Sequence, residues 1–217
     1  MYKTVVFDLD GTLLNTLTDL ADAGNRLCRK YGWPTHERQA YRYFVGNGIP
    51  KLVERLAPAD QRTPAVLEAA LADFKRDYGQ HLRDTTAPYP GIPEMLAKLK
   101  ANGVQLAVFS NKADALAKEV VKDYFGTQYF TIVHGQMTGV APKPAAEGTN
   151  ALLQALHADP ASTLYVGDSN VDVETAHNAN LPCCGAVWGF RTREELNAAG
   201  AEYLAENSDE LYDVIMK

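Results

Sequence analysis

From residue 88 onward, short apolar runs alternate with segments of helical periodicity, and this alternation constrains the fold more than any other feature. One helix face is marked by Ile92, Met95 and Leu99, which are spaced by three and four residues and followed by the helix-stopping pair Asn102-Gly103. Strands are predicted at residues 104–109, 129–133, 163–166 and 183–188. Helices are predicted around residues 92–99, 116–124, 147–157, 171–179, 192–199 and 208–216. Such repetition predicts an α/β fold with a parallel sheet and helices on both faces.

The first strand of this sheet is predicted near the N-terminus, where Val5, Val6 and Phe7 form a run typical of a strand buried on both faces. Gly11 breaks the run, so the carboxylates of Asp8 and Asp10 lie where the strand leaves the core. Because side chains at i and i+2 point to the same side, both carboxylates can address one point in space. Close carboxylates repel one another unless a cation lies between them or one of them holds a proton. The motif therefore predicts that a cation is bound, or a proton transferred, at this strand end.

Residues 15–88 interrupt the alternation with a stretch that has helical character only. Two series of residues are spaced by three and four, as on one face of an amphipathic helix: Leu17, Leu20, Gly24, Leu27 and Tyr31, and Leu67, Leu71, Phe74 and Tyr78. The stretch is too long for a simple connection between strands. We therefore expect residues 15–88 to form an all-helical domain, inserted into an α/β core domain that consists of residues 1–14 and 89–217.

Composition excludes several classes of partner. The formal net charge of −6 argues against a nucleic-acid partner, which requires a basic surface. No apolar run approaches the length of a membrane span, and we expect no targeting segment. The three cysteines include the adjacent pair Cys183 and Cys184, which favours reduced thiols in a cytoplasmic protein over disulfides. We expect a monomer or a weak homodimer that acts on a small molecule.

Polar residues that could carry chemistry are predicted to converge at one end of the sheet. Ser110 and Asn111 follow the second strand, Asp168 follows the fourth, and Asp172 lies one helical turn further on, while Lys143 lies in a proline-flanked loop. Ligands of open parallel α/β sheets bind outside the carboxyl ends of the strands. Carboxylates suit Mg²⁺, one carboxylate can attack phosphorus, and hydroxyl, amide and ammonium groups can hold phosphoryl oxygens. The set is typical of phosphoryl transfer.

Each motif also has a purely structural interpretation. The Asp8–Gly11 segment could belong to a calcium loop, although such a loop needs glycine at its sixth position and glutamate at its twelfth, where this chain has Asp19. Ser110 and Asn111 could cap the following helix, and Asp172 could favour a helix N-terminus electrostatically. The Gly46-Asn47-Gly48 segment could be only a tight turn. Arg191 is interpreted as a partner in a surface salt bridge.

Four motifs, in order, resemble those of the haloacid dehalogenase superfamily. They are Asp8-Leu9-Asp10-Gly11-Thr12-Leu13, Phe109-Ser110-Asn111-Lys112, Lys143-Pro144 and Gly167-Asp168-Ser169-Asn170-Val171-Asp172. The resemblance spans nearly the whole chain and implies a Rossmann-like core with a small helical cap after the first strand. Within that superfamily, the segments 44–53 and 188–190 are most similar to the phosphoglycolate phosphatase group.

The resemblance implies a role for each motif residue. Asp8 would be the nucleophile, and Asp10 would protonate the leaving alkoxide and later activate water. Phosphate would be bound by Ser110, Asn111 and Lys143. Mg²⁺ would be bound by Asp8, the main-chain carbonyl of Asp10 and Asp168, with Asp172 supporting that set. Gly46, Asn47 and Gly48 of the cap would contribute to substrate specificity.

Other functions remain open at this stage. A sugar phosphomutase would return the phosphoryl group to a bound sugar, and a non-catalytic phosphate-binding protein could keep the fold. A dehalogenase is disfavoured because Asp10 would have no use there, and the same residue argues against a phosphonoacetaldehyde hydrolase, in which Lys51 could form an imine. Two departures from the family pattern, Asn15-Thr16 and Ala146, fall at positions that carry no chemistry.

Overall fold

The computed structural model describes all residues from 1 to 217, and the chain divides into two compact units. One unit consists of Met1–Asn15 and Pro88–Lys217 and has an α/β architecture. The other, Thr16–Ala87, contains helices and connecting segments.

The α/β unit is built on a parallel six-stranded sheet, which confirms the predicted fold class. Its strands in chain order are β1 (Thr4–Phe7), β4 (Gln105–Ala113), β5 (Phe130–Gln136), β6 (Thr163–Gly167), β7 (Cys183–Ala186) and β8 (Tyr203–Ala205), and they lie side by side in the order β5-β4-β1-β6-β7-β8. The fully buried β1 occupies an inner position, with Val5 paired to Leu106 on one side and to Leu164 on the other. Two further strands, β2 (Leu14–Asn15) and β3 (Ala87–Pro88), form a small separate sheet.

Six helices accompany this sheet. They are α5 (Ile92–Ala101), α6 (Asp114–Phe125), α7 (Ala146–Leu156), α8 (Asn170–Asn178), α9 (Arg193–Ala199) and α10 (Ser208–Met216). On one face of the sheet, Val6 and Tyr165 pack in one apolar cluster with Leu152 and Leu156 of α7. Burial of each large aliphatic side chain contributes about 1.5–3 kcal/mol. The apolar faces that the sequence periodicity marks are therefore the faces that hold the helices on the sheet.

Three strand ends differ from the predictions by two residues or more, and one edge strand was not predicted. The strand expected at 129–133 continues to Gln136. The strand expected to end at Phe109 continues to Ala113, and its register against β5 shifts between Phe109 and Ala113. The strand expected at 183–188 ends at Ala186, because Val187 and Trp188 belong to a turn. The edge strand β8 was not predicted, since it has only three residues and one of them, Tyr203, is exposed.

The helical unit contains four α-helices, namely α1 (Leu17–Tyr31), α2 (Arg38–Phe44), α3 (Ile49–Leu56) and α4 (Pro64–Gln80). The periodic residues Leu20 and Leu27 of α1 and Phe74 and Tyr78 of α4 are buried, as the spacing predicts. Gly24 allows a close approach of α2, because a Cβ at this position would lie 2.5 Å from the Tyr41 ring.

A buried carboxylate joins the first and last segments of the helical unit. Asp19, in the first turn of α1, accepts hydrogen bonds from the main-chain N–H and the hydroxyl of both Thr85 and Thr86, at 2.5–2.9 Å. Hydrogen bonds to a charged acceptor are stronger than those between neutral groups. These four bonds fix the two ends of the unit to one another.

Two smaller predictions concern membranes and cysteines. None of the helices combines the length and the apolar character that crossing a bilayer requires. Cys28, Cys183 and Cys184 are free thiols, as predicted, and the structure adds that all three are buried.

Candidate active site

Asp8 and Lys143 meet directly beyond the carboxyl end of β1. The carboxylate of Asp8 is buried, and its Oδ1 lies 2.9 Å from Lys143 Nζ. The same ammonium donates to Asp172 Oδ1 at 2.7 Å and to the hydroxyl of Tyr165 at 3.2 Å. A buried ammonium thus bridges two carboxylates that are 164 positions apart in the sequence.

Asn111 holds the loop that carries Lys143. Its Oδ1 accepts a hydrogen bond from the main-chain N–H of Lys143 at 2.9 Å, and its Nδ2 donates to the main-chain oxygen of Lys143 at 3.2 Å. On the far side of the loop, Asn178 Nδ2 donates to the oxygen of Pro144 at 2.8 Å. Both ends of the Asn111 amide thus bind the main chain of Lys143, and phosphate binding by Asn111 stays a prediction.

Asp168 lies directly after β6 in a tightly packed position. Its Oδ1 accepts a hydrogen bond from Thr12 Oγ1 at 3.1 Å, and its Oδ2 accepts one from the main-chain N–H of Phe190 at 2.8 Å. A Cβ at Gly11 would lie 2.4 Å from this carboxylate, and a Cβ at Gly189 would lie 2.2 Å from the Asp168 side chain. Gly11 also has φ +94°, a conformation that favours glycine. Two glycines thus make room for the Asp168 side chain.

Both carboxylate oxygens of Asp172 are occupied by protein donors. Oδ2 accepts hydrogen bonds from the main-chain N–H groups of Asp168 and Ser169 and from Ser169 Oγ, while Oδ1 accepts from Lys143. Ser169 and Asp172 form a capping box at the start of α8. Asp172 is therefore suited to hold the loop and the lysine in place.

Three buried carboxylates lie close together, and their surroundings shift the pKa values of Asp8 and Asp168. Ligand oxygens of Asp8, Asp168 and Asp172 all lie within 4.8 Å of one another. Burial raises the pKa of Asp8 to about 7, against the opposing effect of Lys143. Burial and the neighbouring Asp172 and Asp8 carboxylates raise the pKa of Asp168 well above its ordinary range. Burial also disfavours the Lys143 ammonium, but Asp172 and Asp8 outweigh this effect and hold its pKa well above its usual value.

A divalent cation fits this cluster. One ammonium cannot neutralise three carboxylates, and buried Asp8 Oδ1 receives no well-directed hydrogen bond although Lys143 lies within ion-pair distance. Carboxylate oxygens are the ligands that hard cations prefer. Each oxygen of Asp168 accepts a single hydrogen bond, whereas Asp172 Oδ2 accepts three and its Oδ1 accepts one from the charged Lys143. Asp8 and Asp168 are therefore the members of the cluster best placed to offer an oxygen.

Asp10 does not join this cluster through its side chain. Its carboxylate pairs with Lys112, whose Nζ lies 3.0 Å from Oδ1 and 3.3 Å from Oδ2. Asp10 also lies near enough to Asp8 to add, after burial, to the raised pKa of that carboxyl group. That both carboxylates of the motif can address one point in space stays a prediction. Sequence reasoning did not single out Lys112. The available signal was its period-two relation to Ser110 on the same segment. The two carboxylates of the motif thus have separate cationic partners.

Ser110 lies buried on β4, and its Oγ accepts a hydrogen bond from the main-chain N–H of Lys112 at 3.2 Å. The alternative role of Ser110 and Asn111 as helix caps is wrong, because α6 begins at Asp114 with Ala113 as its N-cap. The extended strand moves the helix start beyond both residues. Phosphate binding by Ser110 stays a prediction.

The remaining motif lies in the helical unit. Gly46 and Gly48 have φ of +107° and +82°, and Gly48 precedes α3 as its N-cap. Asn47 Oδ1 accepts a hydrogen bond from Arg55 Nη2 at 2.9 Å. A substrate role for these three residues stays a prediction. Arg191 of the α/β unit is buried, so its interpretation as a surface residue is wrong.

Comparison with known proteins places this site in a family. The model of the family described as "Haloacid dehalogenase-like hydrolase" matches residues 5–186. The chain belongs to this family.

Named relatives of this hydrolase cover nearly its whole length. A phosphoglycolate phosphatase of Chromobacterium violaceum is 31% identical over 216 residues, 98% of this chain and 96% of the relative. A phosphoglycolate phosphatase of Thiobacillus denitrificans is 31% identical over 191 residues, 87% of this chain and 84% of the relative. The crystal structure of a Lactobacillus delbrueckii subsp. bulgaricus protein has a TM-score of 0.93 at 28% identity and covers 99% of this chain and 98% of its own. The chain is accordingly an enzyme of this hydrolase family and is similar over most of its length to proteins named phosphoglycolate phosphatase.

The geometry of this hydrolase fits chemistry at phosphorus. A buried carboxylate with an adjacent ammonium, Asp8 beside Lys143, can attack an electrophile while the ammonium attracts its anionic oxygens. A second carboxylate with its own cation, Asp10 beside Lys112, is available for proton transfer. The site thus offers one carboxylate suited to nucleophilic attack and a second suited to proton transfer.

Proposed function

We propose that the protein is a Mg²⁺-dependent phosphatase that hydrolyses a small phosphomonoester through a phosphoryl group carried on Asp8. The observation that carries this proposal is the buried Asp8, which lies beside Lys143 and in one carboxylate cluster with Asp168. The leading substrate is 2-phosphoglycolate, since relatives that align with nearly the whole chain are named phosphoglycolate phosphatases.

In this proposal Asp8 and Asp168 hold the Mg²⁺, together with the main-chain oxygen of Asp10. Asp172 keeps Asp168 and Lys143 in place through the hydrogen bonds of its two oxygens. When bound, the cation neutralises the clustered carboxylates and polarises the phosphoryl oxygens of the substrate. Ionised Asp8 is then favoured over the protonated form that burial alone favours.

The first step transfers the phosphoryl group to the protein. An oxygen of Asp8 attacks phosphorus, the bond from phosphorus to the alkyl oxygen breaks, and protonated Asp10 gives its proton to the departing alkoxide. Lys143 and Ser110 hold phosphoryl oxygens as charge develops on them. The products of this step are an alcohol and an aspartyl phosphate on Asp8.

The second step releases phosphate. The Asp10 carboxylate takes a proton from a water molecule, the water oxygen attacks phosphorus, and the bond from phosphorus to the Asp8 oxygen breaks. Asp8 returns as a carboxylate and Asp10 as an acid. Splitting the reaction in this way replaces one difficult displacement with two easier ones.

The helical unit, residues 16–87, is assigned the role of a cap in this proposal. A cap excludes bulk water during phosphoryl transfer and selects the substrate. Gly46, Asn47 and Gly48 are assigned to substrate contact, because main-chain N–H groups at glycines with positive φ can approach an anion closely. The three free thiols fit a cytoplasmic location.

The test is phosphate release from a panel of phosphomonoesters, measured with Mg²⁺ and with excess chelator. We expect release from 2-phosphoglycolate with the highest kcat/KM of the panel, lower values for hexose phosphates, and loss of release on chelation. Movement of the phosphoryl group to another position of a sugar phosphate, without release, would indicate a phosphomutase instead. Absence of both release and transfer for every ester would contradict the proposal.

A further inference from the structure

Lys112 is a buried cation that the reaction proposed above does not use. Its side chain is 2% exposed, and its ammonium contacts both oxygens of Asp10 at 3.0 and 3.3 Å. Burial of a lysine side chain is costly unless the ammonium is paired. The ion pair of Lys112 and Asp10 is therefore largely shielded from solvent, unlike a salt bridge on the protein surface.

The main-chain conformation at the end of β4 places Lys112 at this position. β4 continues four residues beyond Phe109, and its register against β5 shifts in this extension. Irregularities of this kind reorient side chains near active sites. Ser110 Oγ accepts the main-chain N–H of Lys112 at 3.2 Å and so fixes the segment locally. The extension thus carries both Lys112, which pairs with Asp10, and Asn111, which holds the loop of Lys143.

The two lysines of the site divide the carboxylates between them. Lys143 contacts Asp8 and Asp172, at 2.9 and 2.7 Å. Lys112 contacts Asp10, whose side chain is 20% exposed and so remains accessible from solvent. Asp10 therefore has one buried side, where the ammonium lies, and one side that can reach a proton acceptor or a water molecule.

We propose that Lys112 is a positioning residue that orients the Asp10 carboxyl group and stabilises the negative charge formed on it when it gives up its proton. The inference rests on the proposed function, in which Asp10 protonates the alkoxide as the bond from phosphorus to the alkyl oxygen breaks. At that moment Asp10 changes from an acid to a carboxylate, and the ammonium 3.0 Å away stabilises the carboxylate. Lys112 itself exchanges no proton and forms no bond in either step.

This role predicts that the effect of Lys112 depends on the leaving group. An alkoxide is a poor leaving group and needs a proton, whereas p-nitrophenolate leaves without one. For Lys112→Met we expect kcat with an alkyl phosphate to fall on the order of 100-fold, within the range of general acid catalysis. We expect the p-nitrophenolate burst from p-nitrophenyl phosphate, which reports the first step alone, to slow by less than about threefold. KM stays within about threefold for both esters, because Lys112 does not bind the substrate.

The decisive experiment is a double-mutant cycle between Lys112→Met and Asp10→Asn, with Lys112→Arg as the charge-conserving variant and Lys118→Met as a control. Lys118 is an exposed residue of α6 that pairs with Asp114, so its substitution should leave activity unchanged. If Lys112 acts through Asp10, adding Lys112→Met to Asp10→Asn lowers activity by less than about threefold. We expect Lys112→Arg to recover at least about a tenth of the wild-type kcat with the alkyl ester.

Three kinetic results would contradict the inference. Equal losses with both leaving groups, or fully additive losses in the cycle, would show that Lys112 acts independently of Asp10. A rise in KM with unchanged kcat would make Lys112 a substrate ligand. If Lys112→Met alone does not fold, the double variant still decides, since it leaves no unpaired charge in the pair. If the wild-type protein hydrolyses neither ester, the proposed function fails first, and this inference falls with it.

Discussion

Asp8→Asn is expected to abolish phosphate release while the protein remains folded. The amide has nearly the shape of the carboxylate but is not a nucleophile, so the first step has no acceptor for the phosphoryl group. Loss of a nucleophile of this kind typically costs about 10⁴-fold or more in kcat. The fold should tolerate the change, because burial already raises the pKa of Asp8 to about 7 and so disfavours its charged form. Phosphate release from 2-phosphoglycolate, with a thermal melt of the same sample, measures both expectations.

A matched control for this variant is Asp22→Asn, which makes the same substitution at an exposed position of α1. It should leave both release and the melting temperature unchanged. Retention by Asp8→Asn of Mg²⁺-dependent release within about tenfold of the wild-type rate would refute the assignment of the nucleophile.

Lys143→Met is expected to remove activity and to lower stability together. The substitution leaves the buried carboxylates of Asp8 and Asp172 without their shared ammonium. Breaking a buried ion pair by removal of one partner costs about 3–5 kcal/mol. Without the ammonium the pKa of Asp8 rises further above its value in the unfolded chain, so the loss of stability should grow as pH increases through neutrality. Urea unfolding of the metal-free protein at mildly acidic and at alkaline pH measures this trend.

Activity should fall by about 10³-fold in the same variant, since in the proposed reaction Lys143 holds the phosphoryl oxygens in the transition state. Lys118→Met serves as the exposed lysine control. Adding Asp172→Asn removes one of the two unpaired charges and should restore part of the stability but none of the activity. A Lys143→Met protein that is as stable and as active as the wild type would show that the ion pairs of Lys143 contribute neither to stability nor to catalysis.

Most of the fold follows from local signals in the sequence. The run Val5–Phe7 has the apolar character of a strand buried on both faces, and it occupies an inner position of the sheet. Helix periodicity located α7 and α8 within one or two residues at each end. The strand β8 escaped prediction because three residues at a sheet edge have too little pattern to distinguish them from a loop. The C-terminal extension of β4 escaped because polar residues inside a strand resemble its end.

Part of the candidate site could likewise be predicted from the sequence, and part could not. Ligands of parallel sheets bind at the carboxyl ends of the strands, and this rule predicts that Asp8, Lys143 and Asp168 lie close together. The structure places Asp8 next to Lys143 and in one carboxylate cluster with Asp168. The pairing of Asp10 with Lys112 depends on the register shift in β4, which no local pattern reveals. The hold of Asn111 on the main chain of Lys143 depends on a loop from another part of the chain. Contacts of both kinds are set by tertiary packing.

The most direct test of the central claim is to trap the phosphorylated protein. Wild-type protein is mixed with Mg²⁺ and a phosphomonoester that it hydrolyses, quenched in acid within milliseconds, and the peptide that contains residues 4–13 is analysed by mass spectrometry. We predict one added phosphoryl group on Asp8, absent from Asp8→Asn and lost when the wild-type reaction runs to completion. A phosphoryl group on any other residue, or full turnover with none on the protein at any time point, would contradict the account.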